Sequence, residues 1–178
     1  MLFYPNKYVN KIEEITIELL QKNKIKALIL DVDNTLVNYN KEMPKRIEKW
    51  AKELKGQGTK LYIVSNSNDK EKVKKVSKKL GNIPYTYFAM KPLKKGLKIA
   101  QNQLNEKPEN IAVVGDQIFT DVIGGNLCKM YTILVDAIEE KDFWYTAWKR
   151  PIENKLKAKI KEYLPYVIII IVIVLIRS

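Results

Sequence analysis

Along the first three quarters of this chain, short aliphatic runs alternate with stretches in which apolar residues recur every three or four positions. The runs are Lys26 to Leu30, Leu61 to Val64, Tyr85 to Met90, Ile111 to Val114 and Tyr131 to Val135. Each is short and ends in polar residues, as a fully buried parallel strand does when it delivers a loop to its C-terminal edge. Between them, residues 44 to 55 open with Pro44 and space Ile47, Trp50, Ala51 and Leu54 along one helical face, with Gly56 and Gly58 as the stop. A second helix turns Val73, Val76 and Leu80 inward and ends at Gly81, and its lysine run reads as a solvated face. Leu93 to Leu104 predicts a third helix. Residues 11 to 22, with Ile12, Ile15, Leu19 and Leu20, predict a helix or helical turn before the first strand. This alternation predicts an α/β fold, a doubly wound and mostly parallel sheet whose ligands bind beyond the carboxyl ends of the strands.

The last part of the chain has another character. Residues 152 to 161 place Ile152, Leu156 and Ile160 on one face with Lys155, Lys157, Lys159 and Lys161 around the others, a basic amphipathic helix suited to anionic lipid. Tyr166 to Ile176 follows as an unbroken apolar tail, too short to cross a hydrocarbon core of about 30 Å as an untilted helix. Phe143, Trp144, Tyr145 and Trp148 could lie at headgroup level or pack on the preceding domain. The expected organisation is one domain over 1–142 and a membrane-associating segment over 143–178. The N-terminus has no secretory signal pattern, so the domain is expected at the cytoplasmic face of the membrane, held by its tail.

Charge and composition narrow the chemistry. The formal net charge is +12, which favours anionic partners without choosing among them. With no histidine and a single cysteine, Cys128, the chain has no Ser-His or Cys-His arrangement and no Cys/His zinc site. Carboxylates, hydroxyls and lysines must do the work. They gather after the strands: Asp31-Val32-Asp33-Asn34-Thr35, Ser65-Asn66, Lys91-Pro92, then Gly115-Asp116 with Asp121. If those loops converge, Asp31 can attack phosphorus as a carboxylate nucleophile, and Asp33, two residues on, can protonate the leaving alkoxide and later activate water. Asp31 and Asp116 offer hard oxygens to Mg²⁺ between carboxylate and phosphate, Lys91 adds a second cation, and Ser65 with Asn66 can hold phosphate oxygens. A response-regulator receiver uses similar residues, but its acidic pair precedes a separate phosphoacceptor aspartate on strand three, where this chain has Met90-Lys91.

DVDNT, a Ser after the second strand, a Lys after the third and a GDxxxxD loop, in this order, resemble the four signature motifs of phosphatases of the haloacid dehalogenase (HAD) superfamily. The resemblance covers about residues 26 to 136. It implies Asp31 as nucleophile, Asp33 as acid/base, Mg²⁺ held by Asp31, the Asp33 main-chain carbonyl and Asp116, and Asp121 as an outer carboxylate. Only a helix and a strand fit between Thr35 and Ser65, and again between Ser65 and Lys91, so no sizeable cap is expected over this Rossmann-like HAD sheet. YPNKYV, LDVDNTLV, VSNSN, FAMKP and VGDQIFTDVIGGN more narrowly resemble the YqeG-like branch (HAD-IIIA), related to the mitochondrial, plant and cyanobacterial phosphatidylglycerophosphatases. That resemblance implies a phosphorylated lipid, phosphatidylglycerophosphate, as substrate and an anionic membrane surface as partner, with no nucleic acid expected. The alternatives from other classes are a phosphatase for nucleic-acid ends, phosphoproteins or soluble metabolites, and a non-catalytic phosphate sensor.

Overall fold

The computed structural model describes residues 2–139 and, beyond them, Ala158. The aromatic cluster at 143–148, the rest of the basic segment, the apolar tail and the boundary expected at 142 all lie outside the described residues. Six strands form one all-parallel sheet: β1 (Lys7–Val9), β2 (Ala27–Leu30), β3 (Lys60–Val64), β4 (Tyr85–Thr86), β5 (Ile111–Gly115) and β6 (Tyr131–Val135). Their order across the sheet is β1-β6-β5-β2-β3-β4, so the chain starts with β1 at one edge, enters the centre with β2, winds outward through β3 to β4 at the other edge, and crosses back to β5 beside β2 and to β6 between β5 and β1. The α/β, doubly wound, parallel architecture expected from the sequence is the one observed.

Helices are α1 (Ile17–Lys22), α2 (Lys45–Gly56), α3 (Lys70–Lys79), α4 (Lys94–Leu104) and α5 (Ile123–Leu127). All four residues of β2 are buried, and they split between two cores: Leu28 and Leu30 join Ile47, Trp50, Leu54, Val73 and Val76, whereas Ala27 and Ile29 join Leu97, Ala100 and Leu104. α2 and α3 therefore cover one face and α4 the other, which is why the central strands read as uninterrupted apolar runs. Trp50 ties the N-terminal segment to α2 by donating its indole N–H to the Ile15 carbonyl at 2.9 Å.

Three elements differ from expectation. The third strand stops at Thr86 rather than continuing to Met90, because Phe88 and Met90 take left-handed backbone (φ +48° and +54°), which breaks a strand. Lys7–Val9 forms an edge strand too short to show a period. A short helix that the sequence pattern does not predict, α5, contains Gly124 and Gly125 and continues a π-helical turn over Ile118–Val122. A Cβ on Gly125 would stand 2.5 Å from the Thr132 side chain, so the glycines allow α5 to press against the sheet. Among the described residues, no helix is long and apolar enough to cross a membrane.

Candidate active site

The ends of four neighbouring strands, β5, β2, β3 and β4, carry the expected residues to one place. β2 ends at Leu30, and Asp31 follows with its backbone N–H donated to the Val114 carbonyl at 2.9 Å. The next residues coil tightly: Leu36 and Val37 both donate to the Val32 carbonyl, and Asn34 (φ +59°) donates to Val37. The coil turns Thr35 back under the site, where its hydroxyl lies 3.5 Å from Asp31 Oδ2 and 3.4 Å from Asp116 Oδ1.

Lys91 is the electrostatic centre. Its ammonium donates to Asp31 Oδ1 at 2.6 Å and to Asp121 Oδ1 at 2.7 Å, and its side chain is only 2% exposed. Burial opposes the charged form of this lysine, but Asp121 and Asp31 outweigh it and hold its pKa above the ordinary lysine value. Burial drives Asp31 the other way for a carboxylate, up to about 7, with Lys91 pulling it down and Asp121 and Asp33 pushing it further up. Burial is likewise the largest cause of the raised pKa of Asp121. A buried cluster with more carboxylates than ammonium groups is short of positive charge, and Asp31, Asp116 and Asp121 present oxygens all within 4.8 Å of one another. An all-oxygen, all-carboxylate donor set with no nitrogen or sulfur suits a hard divalent cation, and Mg²⁺ fits it.

Second to Lys91 in the site, and unannounced by the sequence, is Lys72. Its ammonium reaches both carboxylate oxygens of Asp33, at 2.8 and 3.0 Å, with the lysine side chain 9% exposed. The lysine run of α3 read as a solvated face, and for Lys72 the structure corrects that reading. Asp69 makes the pairing possible by capping α3: its carboxylate accepts the Lys72 backbone N–H at 2.9 Å, which fixes Lys72 in the first turn.

Ser65 and Asn66 follow β3. Ser65 is fully buried, and its hydroxyl accepts the Ser67 N–H at 3.1 Å. The Asn66 carboxamide engages both backbone groups of Lys91, accepting its N–H at 2.6 Å and donating to its carbonyl at 3.0 Å. Expected among the phosphate-binding residues, Asn66 is thus also the clamp that fixes the Lys91 loop on the Ser65 loop. Asp121 is aimed by the π-helical turn, where its Oδ2 accepts the Gln117 N–H at 3.2 Å. Gly115 makes room for it, because a Cβ there would fall 2.2 Å from the Asp121 carboxyl carbon.

Solved structures share this architecture. An uncharacterised protein from Listeria monocytogenes serotype 4b superposes with a TM-score of 0.54 at 20% identity, over 67% of this chain and 85% of that one. The cobalt-bound deoxy-D-mannose-octulosonate 8-phosphate phosphatase from Haemophilus influenzae gives 0.53 at 18% identity, over 64% and 69%. Among curated proteins, the "Probable phosphatase YqeG" of Bacillus subtilis (strain 168) is 39% identical over 161 residues, 89% of this chain and 92% of the relative. The parallel sheet with its four acidic, seryl and lysyl loops defines a phosphatase of the HAD superfamily, a phosphoric monoester hydrolase. Within that class the chain belongs to the family described as mitochondrial PGP phosphatase, whose model matches residues 1–139.

Proposed function

We propose that this chain removes the terminal phosphate of phosphatidylglycerophosphate, leaving phosphatidylglycerol, through an aspartyl-phosphate intermediate at Asp31. The observation that carries the reading is the Asp31 carboxylate itself, buried, pinned to Lys91 at 2.6 Å and reached from an uncapped strand edge. Only α2 and β3 separate Thr35 from Ser65, and only α3 and β4 separate Ser65 from Lys91. Among the described residues no inserted domain closes over Asp31, so a phosphate presented on a surface can approach it. The family match supports the lipid. The basic segment and apolar tail, read from sequence, support a position at the cytoplasmic face of a membrane.

In this reading an Asp31 oxygen attacks phosphorus, an O–P bond forms, and the bond to the glycerol oxygen breaks. The Asp33 carboxyl gives that oxygen its proton. The resulting Asp33 carboxylate then takes a proton from water, whose oxygen attacks the acyl phosphate, releasing inorganic phosphate and restoring Asp31. Lys91 offsets the negative charge that phosphate brings to Asp31 and Asp121, and Lys72 holds Asp33 in place. Mg²⁺, held by Asp31 and Asp116 with Asp121 beside them, would supply the further positive charge that lets phosphate approach these carboxylates.

The test is phosphate release from phosphatidylglycerophosphate in mixed micelles with Mg²⁺, comparing wild type, Asp31→Asn and a soluble sugar phosphate. Turnover of the lipid that needs Mg²⁺ and Asp31, well above that of the sugar phosphate, is expected. Asp31-dependent hydrolysis of the sugar phosphate without lipid turnover would keep the mechanism and sink the substrate.

A further inference from the structure

The loop that delivers Lys91 also presents a row of uncovered apolar side chains. Tyr87 is 40% exposed, Phe88 55%, Met90 47% and Leu93 59%, while Ala89 and Lys91 between them are buried. This alternation is built into the backbone. Phe88 and Met90 adopt left-handed conformations that neither residue type favours, and main-chain hydrogen bonds fix them: Phe88 N–H to Ser67, Ala89 N–H to Ser65 and Leu93 N–H to Met90. Ala89 is locked against α4, where a Cβ on Gly96 would stand 2.6 Å from the Ala89 methyl. The fold thus holds four large, mostly apolar side chains out in solvent on a loop it anchors through its polar and small residues. Such a patch marks an interaction surface.

Charge identifies the partner. Lys94 and Lys95 follow Leu93 directly in the first turn of α4 and are exposed, and Lys70 places its ammonium 5.7 Å from the centroid of the Tyr87 ring. The sequence has no acidic residue between Glu71 and Glu106. Aromatic and aliphatic tips flanked by long cationic side chains match the headgroup layer of an anionic bilayer, where the tips enter the acyl boundary and each lysine near the surface adds to the attraction.

We propose that the crest formed by Tyr87, Phe88, Met90 and Leu93 docks the catalytic domain on an anionic phospholipid surface, seating the active-site mouth at headgroup level. The crest acts in addition to the apolar tail and orients the site, because Lys91 belongs to the same loop. The inference rests on the lipid reading for its purpose, but docking is measured without turnover.

The full chain is labelled with a polarity-sensitive fluorophore at Phe88→Cys, and separately at Asn105→Cys, which lies at the opposite end of α4; the native Cys128 is buried. Each is mixed with phosphatidylcholine vesicles with or without phosphatidylglycerol. A blue shift at position 88 on the phosphatidylglycerol vesicles alone, with position 105 unchanged, is expected. A label at 88 that stays in water on both vesicles, or shifts equally with the label at 105, overturns the docking assignment. An equal shift at 88 on neutral vesicles overturns the anionic preference. The unlabelled variant Phe88→Asn/Leu93→Asn, whose asparagine tolerates the left-handed backbone at 88, should lose about tenfold or more in vesicle partitioning or in lipid turnover while hydrolysing p-nitrophenyl phosphate like wild type. Unchanged values for both lipid readouts would overturn the proposal. Vesicle docking without release of phosphate from phosphatidylglycerophosphate would instead refute the substrate and leave the crest standing.

Discussion

Asp31 is held where an ionised carboxylate is least welcome, and that has a measurable sign. Its pKa stands at about 7 in the metal-free protein, chiefly through burial. An unfolded aspartate titrates near 4, so between about pH 4 and about pH 7 the folded state keeps a proton that the unfolded chain has released, and stability falls as pH rises through that window. Asp121, raised by burial too, acts in the same direction. In EDTA the thermal midpoint is expected to be lower at about pH 7.5 than at about pH 5, and Mg²⁺ should recover more of it at the higher pH, where it takes the place of the proton. A midpoint that climbs over that interval would contradict the burial argument. Lys72→Met should lower turnover of alkyl phosphates on the order of tenfold to a hundredfold by letting Asp33 drift, and should spare p-nitrophenyl phosphate, whose leaving group needs no acid. Equal losses on the two substrates would assign Lys72 a role other than placing the acid. Asp31, Asp33, Ser65 and Asp116 are visible in the sequence because each stands at or just past the end of a buried run, and Lys91 and Asp121 because they complete the ordered motifs that follow those runs. Lys72 is not: one lysine among six on an amphipathic helix carries no mark of the carboxylate that only the fold brings to it.

Elements whose shape comes from their own period were legible, and those shaped by a neighbour were not. α2, α3 and α4 carry apolar residues at helical spacing and fall within a residue or two of expectation. α5 defeats such reading, since IGGNL is a poor helix former held in place by the approach of Gly124 to Leu97 and of Gly125 to Thr132. The end of β4 is hidden from the sequence for a related reason: Phe88 and Met90 look like strand residues, and the Ser65, Ser67 and Asn66 hydrogen bonds turn that segment into a loop. The last residue of β5 offers a sharp test at this scale. Gly115→Ala places a methyl inside the Asp121 carboxyl, and should cost about 1–3 kcal/mol of stability through overpacking and about a hundredfold in turnover through displacement of the Asp121–Lys91 pair. Urea unfolding and initial rates would measure both, and a variant with wild-type rates would show that the pair can shift without consequence.

At the scale of the molecule, the sequence order of strands and helices specified a parallel sheet and left its order open; the edge position of β1 came from the structure alone. β1 is stitched to β6 by its ladder and by Asn6, whose side chain accepts the Thr132 N–H at 2.9 Å while its own backbone N–H donates to the Thr132 hydroxyl at 3.1 Å. Deleting residues 2–9 should lower the thermal midpoint by roughly 5 °C or more and, by baring the β6 edge, promote self-association visible in light scattering. A truncated chain as stable and monodisperse as the full one would make β1 an ornament. The same pairing has a consequence in time. Asn6 and Thr132 are separated by 126 positions, so a chain emerging N-terminus first holds Lys7–Val9 without its partner for on the order of ten seconds at ordinary elongation rates. The first strand to be synthesised is thus the last to be placed, and the sheet closes only when translation of the domain is almost over.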